Sequence, residues 1–164
     1  MNYHNITHDD MLNGEGLRVV LWVAGCTHYC DGCQNKITWD PNDGILFDGY
    51  AFDEIMSALN KPYISGITFS GGDPLHPRNV KTVTNLAKHI REHFPEKSQW
   101  LYTGYTYEQV RDLEVLQYID VLVDGPFVKN LKDVSYHWAG STNQRVIDIV
   151  RTRTDGKIVL WEPH

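Results

Sequence analysis

The chain is short of what membrane, secreted and nucleic-acid-gripping proteins need. No apolar run is longer than residues 19–24, whereas a bilayer-spanning helix takes roughly 20 residues. The first ten residues carry His4, His8, Asp9 and Asp10 where a secretory leader would place a basic start and an apolar stretch. The expectation is a cytoplasmic protein with no membrane contact. Positive charge is also scarce: 15 Lys and Arg against 21 Asp and Glu, a net charge of −6. A protein that grips phosphate backbones needs a basic face, so no direct nucleic-acid partner is expected. Cysteine is scarce too. The 3 cysteines among 164 residues are Cys26, Cys30 and Cys33, and an odd, clustered set is a poor disulfide framework but a good ligand set.

What remains is ordinary for a globular domain: 41% hydrophobic and 22% charged residues, enough for one core and one domain over residues 1–164. Short apolar runs at 18–24, 65–70, 99–103 and 119–124 each end in a turn signal, as strands buried on both faces do. Between them lie helical patterns. Val80, Val83, Leu86, Ile90 and Phe94 recur at helical spacing within 77–94. A shorter helix spans 52–59 with Asp53 as its cap. A third opens with the capping-box pair Thr106 and Gln109 and faces Val110, Leu113 and Leu116 inward. This alternation predicts an α/β fold: a partial (β/α) barrel, or an open, mostly parallel sheet of four to five β/α units. Asp155-Gly156 between 146–150 and 157–161 predicts a C-terminal hairpin. No repeat, low-complexity tract or interdomain linker interrupts the chain.

The chemistry concentrates in two motifs. Cys26, Cys30 and Cys33 form a C-x3-C-x2-C loop just past the first predicted strand. Three thiolates on one tight loop can hold three corners of a [4Fe–4S] cluster, leaving one iron open to a ligand. The same thiols with His28, His4 or His8 would make a Cys3His zinc site, although structural zinc sites usually draw on two separated knuckles. The second motif, Ser70-Gly71-Gly72-Asp73-Pro74, ends the second strand, where α/β proteins bind ligands and glycines allow close backbone approach.

Together these motifs resemble the radical S-adenosylmethionine enzymes. The resemblance extends through Tyr3-His4, Asn13-Gly14, Gly16, Gly25-Cys26, Gly32-Cys33, Asn35-Lys36, Trp39, the 70–77 segment, Thr103-Gly104-Tyr105, Val123-Asp124-Gly125, Trp138, Gly140-Ser141 and Asn143-Gln144. Over residues 1–145 these positions are similar to the activating proteins of anaerobic ribonucleoside-triphosphate reductases. Glu15, Gln34 and Ala139 depart from that pattern, where Pro, Tyr and Arg are common.

The resemblance implies that Cys26, Cys30 and Cys33 bind the cluster. It implies that Gly32, Cys33 and Gln34 flank S-adenosylmethionine, while the Gly71, Gly72 and Asp73 turn holds its methionyl end. One electron from the cluster would cleave the cofactor to a 5′-deoxyadenosyl radical. That radical would take a hydrogen from a glycine of the reductase large subunit, with a flavodoxin-type protein as electron donor. Beyond the cluster and cofactor, no catalytic side chain is implied. Two alternatives stay open: an activase of another glycyl-radical enzyme such as pyruvate formate-lyase, and a non-catalytic zinc-binding module. A side chain at Gly72 is expected to impair cofactor use while sparing the cluster. The strand ends carrying Gly25, Ser70, Thr103 and Asp124 are expected to converge on one cavity. Tyr102, Tyr105 and Tyr107 are pocket or packing residues, Arg18 a carboxylate partner near the cluster or a surface ion pair, and Asp124 a pocket residue or a helix cap.

Overall fold

In the computed structural model, which describes residues 1–163, the four apolar runs form the parallel centre of one sheet. They are β2 (Arg18–Val23), β4 (Gly66–Gly71), β5 (Ser98–Tyr102) and β6 (Val121–Asp124), paired in that order. The flanks are antiparallel. β1 (Asn2–Asp10) pairs with β2 and with the two-residue edge strand β3 (Ile45–Leu46). At the opposite edge β7 (Arg145–Asp148) pairs with β6. The seven-stranded sheet, ordered β3-β1-β2-β4-β5-β6-β7, is therefore open. The expectation of a mostly parallel sheet holds for its centre only.

Strand residues alternate between two faces. Val19, Leu21, Val23, Ile67, Phe69, Leu101 and Leu122 belong to the main core. Against them pack Ile55 and Leu59 of α1 (Gly49–Leu59) and Val83, Leu86 and Ile90 of α2 (Val80–His93). The alternate residues Trp100, Val121, Val123 and Val146 form a smaller cluster on the other face, covered by Tyr102, Trp138 and Trp161. Helices thus fill one face, and the second stays partly open.

Three local expectations need correction. Asp48, not Asp53, caps α1, its carboxylate accepting from the Ala51 N–H at 3.0 Å. The third helix, α3 (Tyr107–Val110), is a single turn, followed by a 3-10 turn at Glu114–Gln117 that buries Leu116 while Leu113 is exposed. Gln109 does reach back to the Thr106 N–H at 2.9 Å. The hairpin at Asp155-Gly156 is absent. β7 runs straight into α4 (Ile149–Asp155), whose N-cap is Asp148, and Gly156 closes that helix in the left-handed conformation at φ 70°. Residues 157–161 do return antiparallel to β7, through a bridge between Ile147 and Leu160.

Arg18 is neither a surface ion pair nor a carboxylate partner. It is fully buried on the open face. Its five N–H donors go to Thr68 Oγ1, Ser98 Oγ and the carbonyls of Glu15, Ile67 and Ser98, at 2.7–2.9 Å. The guanidinium also lies 5.5 Å from the Trp100 ring centre. Burial pulls its pKa down to about 10, so it stays charged at neutral pH. Replacing it strands those acceptors in a dry interior. The Arg18→Met variant should lose about 3 kcal/mol of unfolding free energy, read from the shift in urea midpoint.

Candidate metal centre

β2 feeds directly into the cysteine loop, and main-chain hydrogen bonds hold that loop from two sides. On one side the Gly25 N–H donates to the Thr38 carbonyl at 2.6 Å and the Cys26 N–H to the Trp39 carbonyl at 3.1 Å. On the other, the Gly72 N–H donates to the Val23 carbonyl at 2.8 Å and the Asp73 N–H to the Gly25 carbonyl at 2.7 Å. The buried Asn79 amide adds bonds to the Ala24 and Asp73 carbonyls at 2.8 and 3.0 Å. Gly72 sits between the two sets. A Cβ there would lie 2.5 Å from the Gly25 oxygen and 2.8 Å from the Thr38 oxygen.

This contact corrects the expectation for Gly72. A side chain at that position meets the anchors of the cysteine loop, so cofactor and cluster sites are disturbed together.

The cavity at the carboxyl ends of the central strands measures about 350 Å³ and is lined by Cys26, Cys30, Cys33, Gln34, Gly71, Gly72 and Asp73. Of the residues expected to converge there, Ser70 and Thr103 bring the ends of β4 and β5 to the same wall and Gly125 brings that of β6, whereas Gly25 and Asp124 are not among its lining residues. Gly32 stands apart from that lining, its missing Cβ facing the Lys129 side chain at 3.3 Å. His4 and His8 lie on β1, with His8 beside Glu54 at 3.2 Å. Asp124 is buried and turned to other work. It accepts from the Tyr107 N–H at 2.7 Å and pairs with Arg145 at 2.5 Å. Tyr102 lines the cavity, Tyr105 packs on His28, and Tyr107 belongs to the main core.

Sequence reasoning missed Trp22, Thr38 and Phe127, all in the cavity wall. Trp22 had a readable signal, since it alternates with Leu21 and so faces away from the helices. A second cavity of about 460 Å³ adjoins the first and shares Asn13, Gln34, Tyr102 and Gly140 with it.

The donor chemistry suits iron. All three cysteines are free and half-buried, and desolvation pushes the Cys26 thiol up to about 11. Such a thiol ionises near neutral pH only where a cation takes up the charge, as a cluster iron does. At the start of α3, Arg145 holds the exposed Glu108 carboxyl down to about 2 by hydrogen bonding.

An α/β sheet that delivers three free thiols of one loop to a single cavity has the donor set of a metal or cluster site. Residues 12–147 match the family described as a 4Fe-4S single cluster domain. The chain is 47% identical over 162 residues to the anaerobic ribonucleoside-triphosphate reductase-activating protein of Enterobacteria phage T4, covering 99% of each. It is 46% identical to the protein of that name from Escherichia coli K12, over 89% of this chain and 97% of the relative. The Haemophilus influenzae protein is 42% identical over 88% and 96%. The chain belongs to the family of anaerobic ribonucleoside-triphosphate reductase-activating proteins.

Because Gly72 abuts the loop anchors, Gly72→Val should destabilise the metal-free chain by about 3 kcal/mol and lower the iron bound on anaerobic reconstitution. Denaturant titration and iron analysis check both effects. A variant with parent stability and full iron content would return Gly72 to a role in cofactor contact alone.

Proposed function

We propose that this chain reductively cleaves S-adenosylmethionine and installs a glycyl radical on anaerobic ribonucleoside-triphosphate reductase. The observation that carries the reading is the meeting of the three cysteines with the Gly71–Asp73 turn around one cavity. Cys26, Cys30 and Cys33 would hold three irons of a [4Fe–4S] cluster, leaving the fourth without a protein thiolate. Gly71, Gly72 and Asp73 would cradle the methionyl end of the cofactor, with Gln34 flanking it. When bound, these groups would supply one-electron reductive cleavage of the sulfonium and removal of a hydrogen atom from a glycine Cα.

The protein's share is placement. The main-chain anchors at Gly25 and Gly72 keep thiolates and turn at a fixed separation. Trp22, Tyr102 and Phe127 give the cavity apolar walls that limit water around a reactive species. The partner is the large subunit of the reductase, and reducing equivalents come from a flavodoxin-type donor. The relatives' names support this partner over pyruvate formate-lyase. A zinc module finds less support: the Nε2 of His28 is engaged by Asp73, and His4 and His8 stand on β1.

The test is electron paramagnetic resonance of an anaerobic mixture of the chain, S-adenosylmethionine, a reductant and the reductase. A glycyl doublet should require the reductase and its target glycine. Cys26→Ala, Cys30→Ala or Cys33→Ala should each abolish both the cluster spectrum and the doublet, because each removes one of only three thiolates. Activation by Cys30→Ala at the parent rate would overturn the reading.

A further inference from the structure

His28 stands inside the cysteine loop, yet its ring is held by the other two loops of the cavity. Its Nε2–H donates to Asp73 Oδ2 at 2.5 Å. The same carboxylate accepts from the Thr103 hydroxyl at 2.9 Å, the Leu75 N–H at 2.9 Å and the Gly104 N–H at 3.0 Å. Asp73 is 1% exposed, so its charge depends on these four donors. The Tyr105 ring stands edge-on to the imidazole at 4.6 Å.

Gly104 explains the fit. A Cβ there would lie 2.6 Å from His28 Cγ and 2.7 Å from Nε2. The Gly104 backbone is not in the left-handed region that calls for glycine. What bars a side chain at 104 is the space taken by His28.

We infer that His28 is a positioning residue, a clamp that ties the cysteine loop to the Asp73 turn and to the Thr103–Gly104 end of β5. This assignment rests on the proposed function for its consequence. Thiolates and methionyl cradle sit on different loops; the Asn79 amide ties the base of the cysteine loop at Ala24 to the turn, and His28 ties it from between the cysteines themselves. Without His28, Asp73 keeps three donors and the turn survives, while the loop loses the tie from its own ring and keeps its main-chain anchors and the Asn79 bond at Ala24. The cluster should therefore still assemble, but against a cradle no longer held in register.

The experiment compares the parent chain with His28→Ala, Gly104→Ala and the double variant, each anaerobically reconstituted. Iron and sulfide contents, S-adenosylmethionine affinity by calorimetry, and the change that S-adenosylmethionine causes in the reduced cluster's resonance are the readouts. His28→Ala should keep its iron and sulfide and lose about tenfold or more in affinity, the usual scale for a residue that orients a metal site. Gly104→Ala should do the same although it removes no functional group, because its methyl expels the ring. The double variant should be no worse than His28→Ala alone, since the space is then free. Parent affinity in His28→Ala, or additive losses in the double variant, would overturn the clamp.

Amide exchange across residues 26–33 in the metal-free chain decides the clamp without any cofactor. Faster exchange there in both single variants, with β4 and β5 unchanged, supports it, and parent rates overturn it. A parent chain that fails to bind S-adenosylmethionine would overturn the proposed function and leave the exchange result to stand on its own.

Discussion

Two main chains touch at the carboxyl ends of β2 and β4, and the rest of the site depends on that contact. Gly72 approaches Gly25 so closely that a Cβ on Gly72 would lie 2.5 Å from the Gly25 carbonyl oxygen. The carbonyls of Val23 and Gly25 each accept an N–H from the turn of β4. Hydrogen bonds between backbones are short, numerous and indifferent to side-chain motion, so they set the loop's position to within the tolerance of the sheet itself. A parallel pairing of β2 with β4 in register from Arg18 to Val23 brings these two ends level. The cysteine loop is accordingly an extension of the sheet rather than an appendage to it.

The two faces of the sheet solve different problems. Toward the helices, aliphatic side chains close-pack and carry most of the burial. Toward the open face, the strands present Arg18, Thr68, Ser70, Trp22 and Tyr102, a polar and aromatic surface suited to hold a charged ligand at its far end. The cost of burying Arg18 is offset because every donor has an acceptor on a neighbouring strand or loop. The same bonds staple the 13–17 segment beneath β2 and β4. Cation and cavity share one face but sit at opposite strand ends: Arg18 opens β2, and the cysteines follow its last residue. The guanidinium thus organises the floor of that face without competing for the ligand.

How much of this was legible from the residues follows from what each signal depends on. The four central strands stand out because burial on both faces forces continuous apolar runs. β1 escaped because its residues Asn2–Asp10 are half-buried, with Ile6 alone in the core, so neither apolar run nor alternation marks it. The 146–150 segment runs two residues past β7 into what is α4, because two turns of helix are too short to show a period. Asp155-Gly156 has the composition of a hairpin turn, yet Asp155 ends that helix and Gly156 is its C-cap. The cysteine spacing was readable because only a few residue types bind iron. The His28–Asp73 bond was not, since nothing local in either segment says that the loops meet.

Two carboxylates at adjacent strand ends show why that bond matters more than its strength. Asp124 and Asp73 are each 1% exposed and each is fully hydrogen-bonded. Asp124 spends its charge on Arg145 and on the first N–H of α3, that of Tyr107. Asp73 lines the cavity and draws its donors from three separate loops. A substitution at Asp73 would release all three at once, and its phenotype would mix lost ligand contact with lost architecture. His28 and Gly104 touch the same junction from one side only. They can be altered while the turn keeps its remaining donors, which makes them the positions at which the geometry of the site can be separated from its chemistry.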